Sequence, residues 1–167
     1  MTFDILLGIL IPFFGTSIGA AAALLCKKGV SPLVNRLVYT IRLCSLRYFN
    51  RILPYSHFQV GAALLTKSGK VYLGCNIENA AYSATVCAER TAIFKAVSDG
   101  EREFEAIAIV GGKEGEVSEF CAPCGVCRQV IAEFCQKDFK IILGNKDNFV
   151  VYTLDQLLPF SFTDKDL

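Results

Sequence analysis

Apolar positions change their spacing near Pro54, and that change divides the chain in two. Beyond it, short apolar runs alternate with helical patterns. Gln59 to Thr66 and Val71 to Asn76 are apolar runs separated by Lys67-Ser68-Gly69-Lys70, a turn composition, so the pair predicts a hairpin. Cys87 to Ser98 predicts a helix, with Ala88, Ala92, Ile93 and Ala96 available to pack and Asp99-Gly100 to stop it. Ala106 to Val110 predicts a buried strand bounded by Gly111-Gly112. Cys124 to Phe134 predicts a second helix, and Lys140 to Leu143 and Phe149 to Tyr152 the last two strands. Thr153 with Gln156 has capping-box spacing and opens a short helix closed by Pro159. Strands and helices interleaved in this way argue for an α/β domain over residues 54–167, its sheet covered by helices on both faces.

Before Pro54 the pattern is different. Ile5 to Cys26 is a run of 22 residues without a charge, followed by Lys27-Lys28-Gly29. As a helix it would reach roughly the 30 Å of a bilayer core. The lysines on its C-terminal side would then leave the rest of the chain in the cytoplasm. The alternatives are a buried helix or a misjoined reading frame, and the apolar segment 1–33 also resembles the first transmembrane helix of ZIP-type metal transporters. Residues 34–53 are basic, and Leu37, Ile41, Cys44 and Tyr48 form one helical stripe that Pro54 ends.

The chain of 167 residues has a net charge of +1. Up to Leu53 six basic side chains face Asp4 alone, a net +5 that leaves −4 for the remainder. No global field argues for nucleic acid. Of the eight cysteines, Cys121, Cys124 and Cys127 crowd into seven residues, a density that suits a metal or reactive thiols better than a disulfide framework. The acidic start Met1-Thr2-Phe3-Asp4 lacks the basic region of a secretory signal, so a reducing compartment is expected, with the cysteines free or metal-bound.

The chemistry concentrates in Cys87-Ala88-Glu89 and Cys124-Gly125-Val126-Cys127. Three thiolates suit Zn²⁺ and leave one tetrahedral position open, as catalytic zinc requires, while Glu89 can carry protons without binding the metal. Both groups fall at predicted helix starts, where partial positive charge favours the thiolate. A three-thiolate site is net negative and calls for a nearby cation, with Arg90 and Arg128 as candidates. The competing arrangement is a closed knot with Cys121 as fourth ligand; against it, Cys121 precedes Pro123 in a predicted loop. His57, the only histidine, lies far in sequence from the cysteines.

Four blocks in order carry a resemblance. Tyr55-Ser-His-Phe-Gln-Val-Gly-Ala-Ala-Leu64, Gly74-Cys-Asn-Ile-Glu-Asn-Ala-Ala-Tyr82, Cys87-Ala-Glu-Arg90 and Pro123-Cys-Gly-Val-Cys-Arg-Gln129, with a closing Leu157-Leu-Pro-Phe-Ser-Phe162, resemble the cytidine deaminases of pyrimidine salvage. The likeness is to their small, three-cysteine, homotetrameric type and covers residues 54–167. It implies a three-layer α/β/α fold around a mixed five-stranded sheet. It also implies one Zn²⁺ per subunit on Cys87, Cys124 and Cys127, with Glu89 shuttling protons to N3 of the base and to the departing amine. By the same resemblance Asn76 and Glu78 suit the ribose hydroxyls, and Phe58 stacks on the base. Ala88 offers backbone groups near it, Arg90 tempers thiolate charge, and Tyr82 and Phe162 reach a neighbouring subunit's pocket.

The expected partner is a free nucleoside and not nucleic acid, with a membrane involved only if the apolar run is a real anchor; the expected location is cytoplasmic. Rival readings are a blasticidin-type or nucleic-acid deaminase and a membrane-attached, non-enzymatic zinc protein. The first helix departs from the family's mixed-charge pattern, and Cys121 is extra to the zinc motif.

Overall fold

The computed structural model describes residues 53–114 and 116–167. Strands β1 (Phe58–Thr66) and β2 (Val71–Cys75) form the expected hairpin. Its turn places Gly69 at φ 87°, a left-handed conformation that glycine adopts without a Cβ clash. Helix α1 (Ala88–Ser98) leads to β3 (Phe104–Lys113), and α2 (Gly125–Phe134) leads to β4 (Lys140–Gly144). Strand β5 (Phe149–Thr153) and the short α3 (Leu154–Leu157) follow. The sheet order is β2-β1-β3-β4-β5, parallel only between β3 and β4 and therefore mixed.

The apolar runs of β1, β3 and β4 are continuous because both faces of these strands are buried. Ala62, Leu64, Ile107, Ile109, Ile141 and Leu143 point to one face, where they meet Ala88, Ala92, Ile93 and Ala96 of α1, Ile131 of α2 and Leu154 of α3. Ala63, Leu65, Ala106, Ala108, Val110 and Ile142 point to the other, where Leu73, Val117 and Phe149 pack on them. The described helices all contribute to the first face. The helix expected at 34–53 and the apolar segment 1–33 lie outside the described residues, save for Leu53. Among the described residues no helix is long and apolar enough to cross a membrane.

One boundary differs from the sequence pattern. Gly111 and Gly112 do not end β3; they continue it, opposite Val60 and Gln59 of β1. Glycine stands there because the returning chain crosses closely: a Cβ on Gly112 would lie 1.7 Å from the Glu116 carbonyl oxygen, and one on Gly111 would lie 3.0 Å from Cys121 Sγ. Both helices also begin one residue later than expected, with Cys87 and Cys124 as N-caps. The capping box at α3 is present: Gln156 N donates to Thr153 Oγ1 at 3.3 Å and Thr153 N donates to Gln156 Oε1 at 2.8 Å. Thr153→Ala should lower unfolding free energy by about 1 kcal/mol, read as an earlier denaturant midpoint at unchanged slope.

Candidate active site

Both helices present their first turns to one place. Cys87 caps α1, Cys124 caps α2, and Cys127 lies in the first turn of α2. The three Sγ atoms lie within 4.8 Å of one another, with Cys87 and Cys124 at 3.8 Å. Tetrahedral thiolates around zinc, at Zn–S of about 2.3 Å, sit about 3.8 Å apart. The donor set and spacing therefore fit zinc. Cys121 is not part of this group: its thiol lies over Gly111, packs against the core, and is pushed up to about 11 by burial. The closed four-cysteine knot is not formed, and three ligands remain.

Electrostatics within the cluster favour a thiolate at Cys87. A hydrogen bond with Cys127 holds the Cys87 thiol down to about 5, helped by Arg90 and Cys124 against desolvation. The hydrogen bond with Cys87, together with burial, drives the Cys127 thiol upward. Arg90 Nη2 donates to the Thr85 carbonyl at 2.9 Å and reaches Cys87 Sγ at 3.7 Å. Its Nε is buried and has no hydrogen-bond partner among the described residues. The Nη2 donor facing Cys87 Sγ offsets accumulated thiolate charge, as a loaded centre requires. Arg128, the other candidate cation, is committed elsewhere: its guanidinium donates to the carbonyls of Pro123 and Leu157, both at 2.8 Å.

Glu89 is only 4 % exposed, and that burial raises its carboxyl pKa above the ordinary range. The preceding Ala88 is fully buried. The close seating of this helix start depends on Gly74, where a Cβ would lie 2.2 Å from the Ala88 carbonyl oxygen. Thr91 Oγ1 fastens the same turn to β2 by donating to the Cys75 carbonyl at 3.0 Å.

Asn76 and Glu78 stand just beyond β2, and both reach the segment 55–60. Asn76 accepts from Val60 N at 2.9 Å and donates to the Phe58 carbonyl at 2.8 Å. Glu78 accepts from Tyr55 N at 3.0 Å, from Ser56 N, and from the Ser56 hydroxyl. Hydrogen bonding by Ser56 lowers its pKa. Phe58 opens β1 with an exposed ring. Tyr82 opens a 3-10 turn (Tyr82–Ala84) and Phe162 lies beyond α3; both side chains face outward, at 70 % and 58 % exposure. Phe162 is tethered through its carbonyl, which accepts from Gln129 Nε2 at 2.7 Å. The residues missed as individuals are Ser56, Gly74 and Thr91, whose roles arise from contacts between elements. The signal for the first two was their place inside the quoted blocks.

The family model for the cytidine and deoxycytidylate deaminase zinc-binding region matches residues 37–143, which include the three thiols, Glu89 and the hairpin. The chain belongs to the cytidine deaminase family. It is 57 % identical over 115 residues to a cytidine deaminase of Sporosarcina psychrophila, covering 68 % of this chain and 82 % of that protein. Its fold matches the crystal structure of the cytidine deaminase from Burkholderia pseudomallei with a TM-score of 0.68 and 42 % identity, over 76 % of this chain and 97 % of that one. A blasticidin-S deaminase of Bacillus cereus is 34 % identical over 108 residues, covering 62 % of this chain and 76 % of that protein. As a cytidine deaminase family member the protein is a zinc-dependent hydrolase, and its three-thiol cluster fits one Zn²⁺ per subunit.

Proposed function

We propose that the protein hydrolyses free cytidine and deoxycytidine to uridine and deoxyuridine, releasing ammonia, as an enzyme of pyrimidine salvage in the cytoplasm. The observation that carries this reading is a buried Glu89 beside three thiols spaced for one metal. Cys87, Cys124 and Cys127 hold the zinc, which when bound supplies the Lewis acidity that makes water nucleophilic at neutral pH. Glu89 takes a proton from the attacking water and delivers one to N3 of the base. As the C4–N bond breaks, Glu89 takes the second proton from the new C4 hydroxyl and hands it to the departing amine, so water and nucleoside become the keto product and ammonia. Burial suits the carboxyl to this work, because its raised pKa lets it gain as well as lose a proton.

Arg90 offsets the excess thiolate charge, and the Ala88 backbone borders the reacting base. Phe58 stacks on the base, while Asn76 and Glu78 take the ribose hydroxyls. The outward rings of Tyr82 and Phe162 complete the pocket of a neighbouring subunit in a homotetramer. Residues 54–167 form the deaminase domain, and the basic segment 34–53 and the apolar segment 1–33 precede it. The net −4 beyond Leu53 favours a small nucleoside over a polynucleotide, which would need a basic groove.

The purified protein should convert cytidine to uridine with equimolar ammonia, and should leave a single-stranded oligonucleotide and blasticidin S unchanged. Turnover of the oligonucleotide or drug but not of cytidine would overturn the proposal. Chelation should remove one zinc per chain together with activity, both restored by added Zn²⁺.

A further inference from the structure

The carboxylate of Glu78 is surrounded on one side by the chain at 55–56. Tyr55 N, Ser56 N and the Ser56 hydroxyl all donate to it, which occupies three of the roughly four acceptor positions of a carboxylate. The Ser56 oxygen in turn accepts from Phe58 N at 3.0 Å. His57, between them, has φ 54°, a left-handed conformation that is uncommon outside glycine and that turns the chain back for this bond. Asn76 completes the frame by holding the Phe58 carbonyl and Val60 N. One hydroxyl thus joins Glu78 to the strand end that carries Phe58.

We propose that Ser56 is a positioning residue for sugar recognition: it locks the Glu78 carboxylate so that its remaining lone pair faces the substrate's ribose hydroxyl, in register with the base held by Phe58. This rests on the proposed cytidine activity. Ser56 touches neither substrate nor metal; it acts through Glu78. The lowered pKa of Glu78 agrees with this, since an ionised carboxylate is acceptor-only and selects a hydroxyl donor.

The test compares cytidine with 2′,3′-dideoxycytidine, which keeps the base and lacks both ring hydroxyls. Ser56→Ala should raise KM for cytidine about tenfold, the loss of one hydrogen bond to a charged group, with kcat within about threefold of the parent. The inhibition constant of dideoxycytidine should shift less than about twofold, because that ligand makes no use of Glu78. Ser56→Thr, which retains the hydroxyl, should return the cytidine KM to within about threefold. Should Ser56→Ala fail to fold, Ser56→Cys, similar in size and a weaker donor, carries the same comparison. Equal weakening of both ligands, an unchanged cytidine KM, or a fall in kcat alone would overturn the proposal. Turnover of cytidine by the parent protein tests the activity itself, so failure of the Ser56 inference is distinguishable from failure of that reading.

Discussion

Replacing Glu89 with alanine should cut kcat on cytidine by roughly 10²–10⁴-fold, the range for loss of a positioned general acid–base group. Zinc content should stay at one per chain, because the metal cluster comprises Cys87, Cys124 and Cys127 and not this carboxylate. Glu89 lies in the first turn of α1, where the neighbouring Ala88, Ala92 and Ile93 are fully buried, so the helix retains its packing without the carboxyl. The informative pairing is activity against metal, by steady-state kinetics and elemental analysis on one preparation. Loss of both together would make Glu89 a structural support of the centre. Retention of both would remove it from the mechanism.

Gly74→Ala should damage the fold and the metal centre together. The added carbon would lie 2.2 Å from the Ala88 carbonyl oxygen and 2.6 Å from Ala92 N. Both are backbone atoms of α1, so no side-chain rotation relieves the overlap and the helix must withdraw from β2. Overpacking of this kind costs about 3 kcal/mol. The Thr91 bond to the Cys75 carbonyl would lengthen, and Cys87 and Glu89 would shift at the same end of the helix. A lower denaturation midpoint should therefore accompany weaker zinc retention and lower kcat. Gly125→Ala is the control: a Cβ there meets nothing within 4 Å, although the residue adjoins Cys124. Its stability should change by less than about 0.5 kcal/mol or rise slightly. Equal damage from the two substitutions would mean that general helix-start perturbation, not the contact with β2, sets the loss.

Much of this was readable from local pattern. The hairpin, the five strands, both long helices and the Thr153–Gln156 capping box follow from apolar spacing and turn chemistry, which are encoded within a few residues. Cys87, Glu89, Cys124 and Cys127 were legible because a metal centre needs particular side chains at particular intervals. The Gly111-Gly112 pair misled the boundary of β3, since a glycine that permits close approach and one that ends a strand look alike in sequence. Residue type alone left Arg90 and Arg128 both open as the compensating cation; the resemblance favours Arg90, and the structure agrees, since the carbonyls of Pro123 and Leu157 engage Arg128.

By itself, the sequence determined which groups can do chemistry: three thiols for a zinc and a carboxylate one residue into a helix. Only the tertiary structure decided that these thiols, 37 residues apart at Cys87 and Cys124, meet at 3.8 Å while Cys121 stays outside the cluster. It also decided that Glu89 is buried enough for its pKa to rise, and that Glu78 is bound by Ser56. The physical reason is that residue type and spacing set what a side chain can donate, accept or ligate. Distance, desolvation and partner choice are properties of elements packed against one another, and no local pattern carries them.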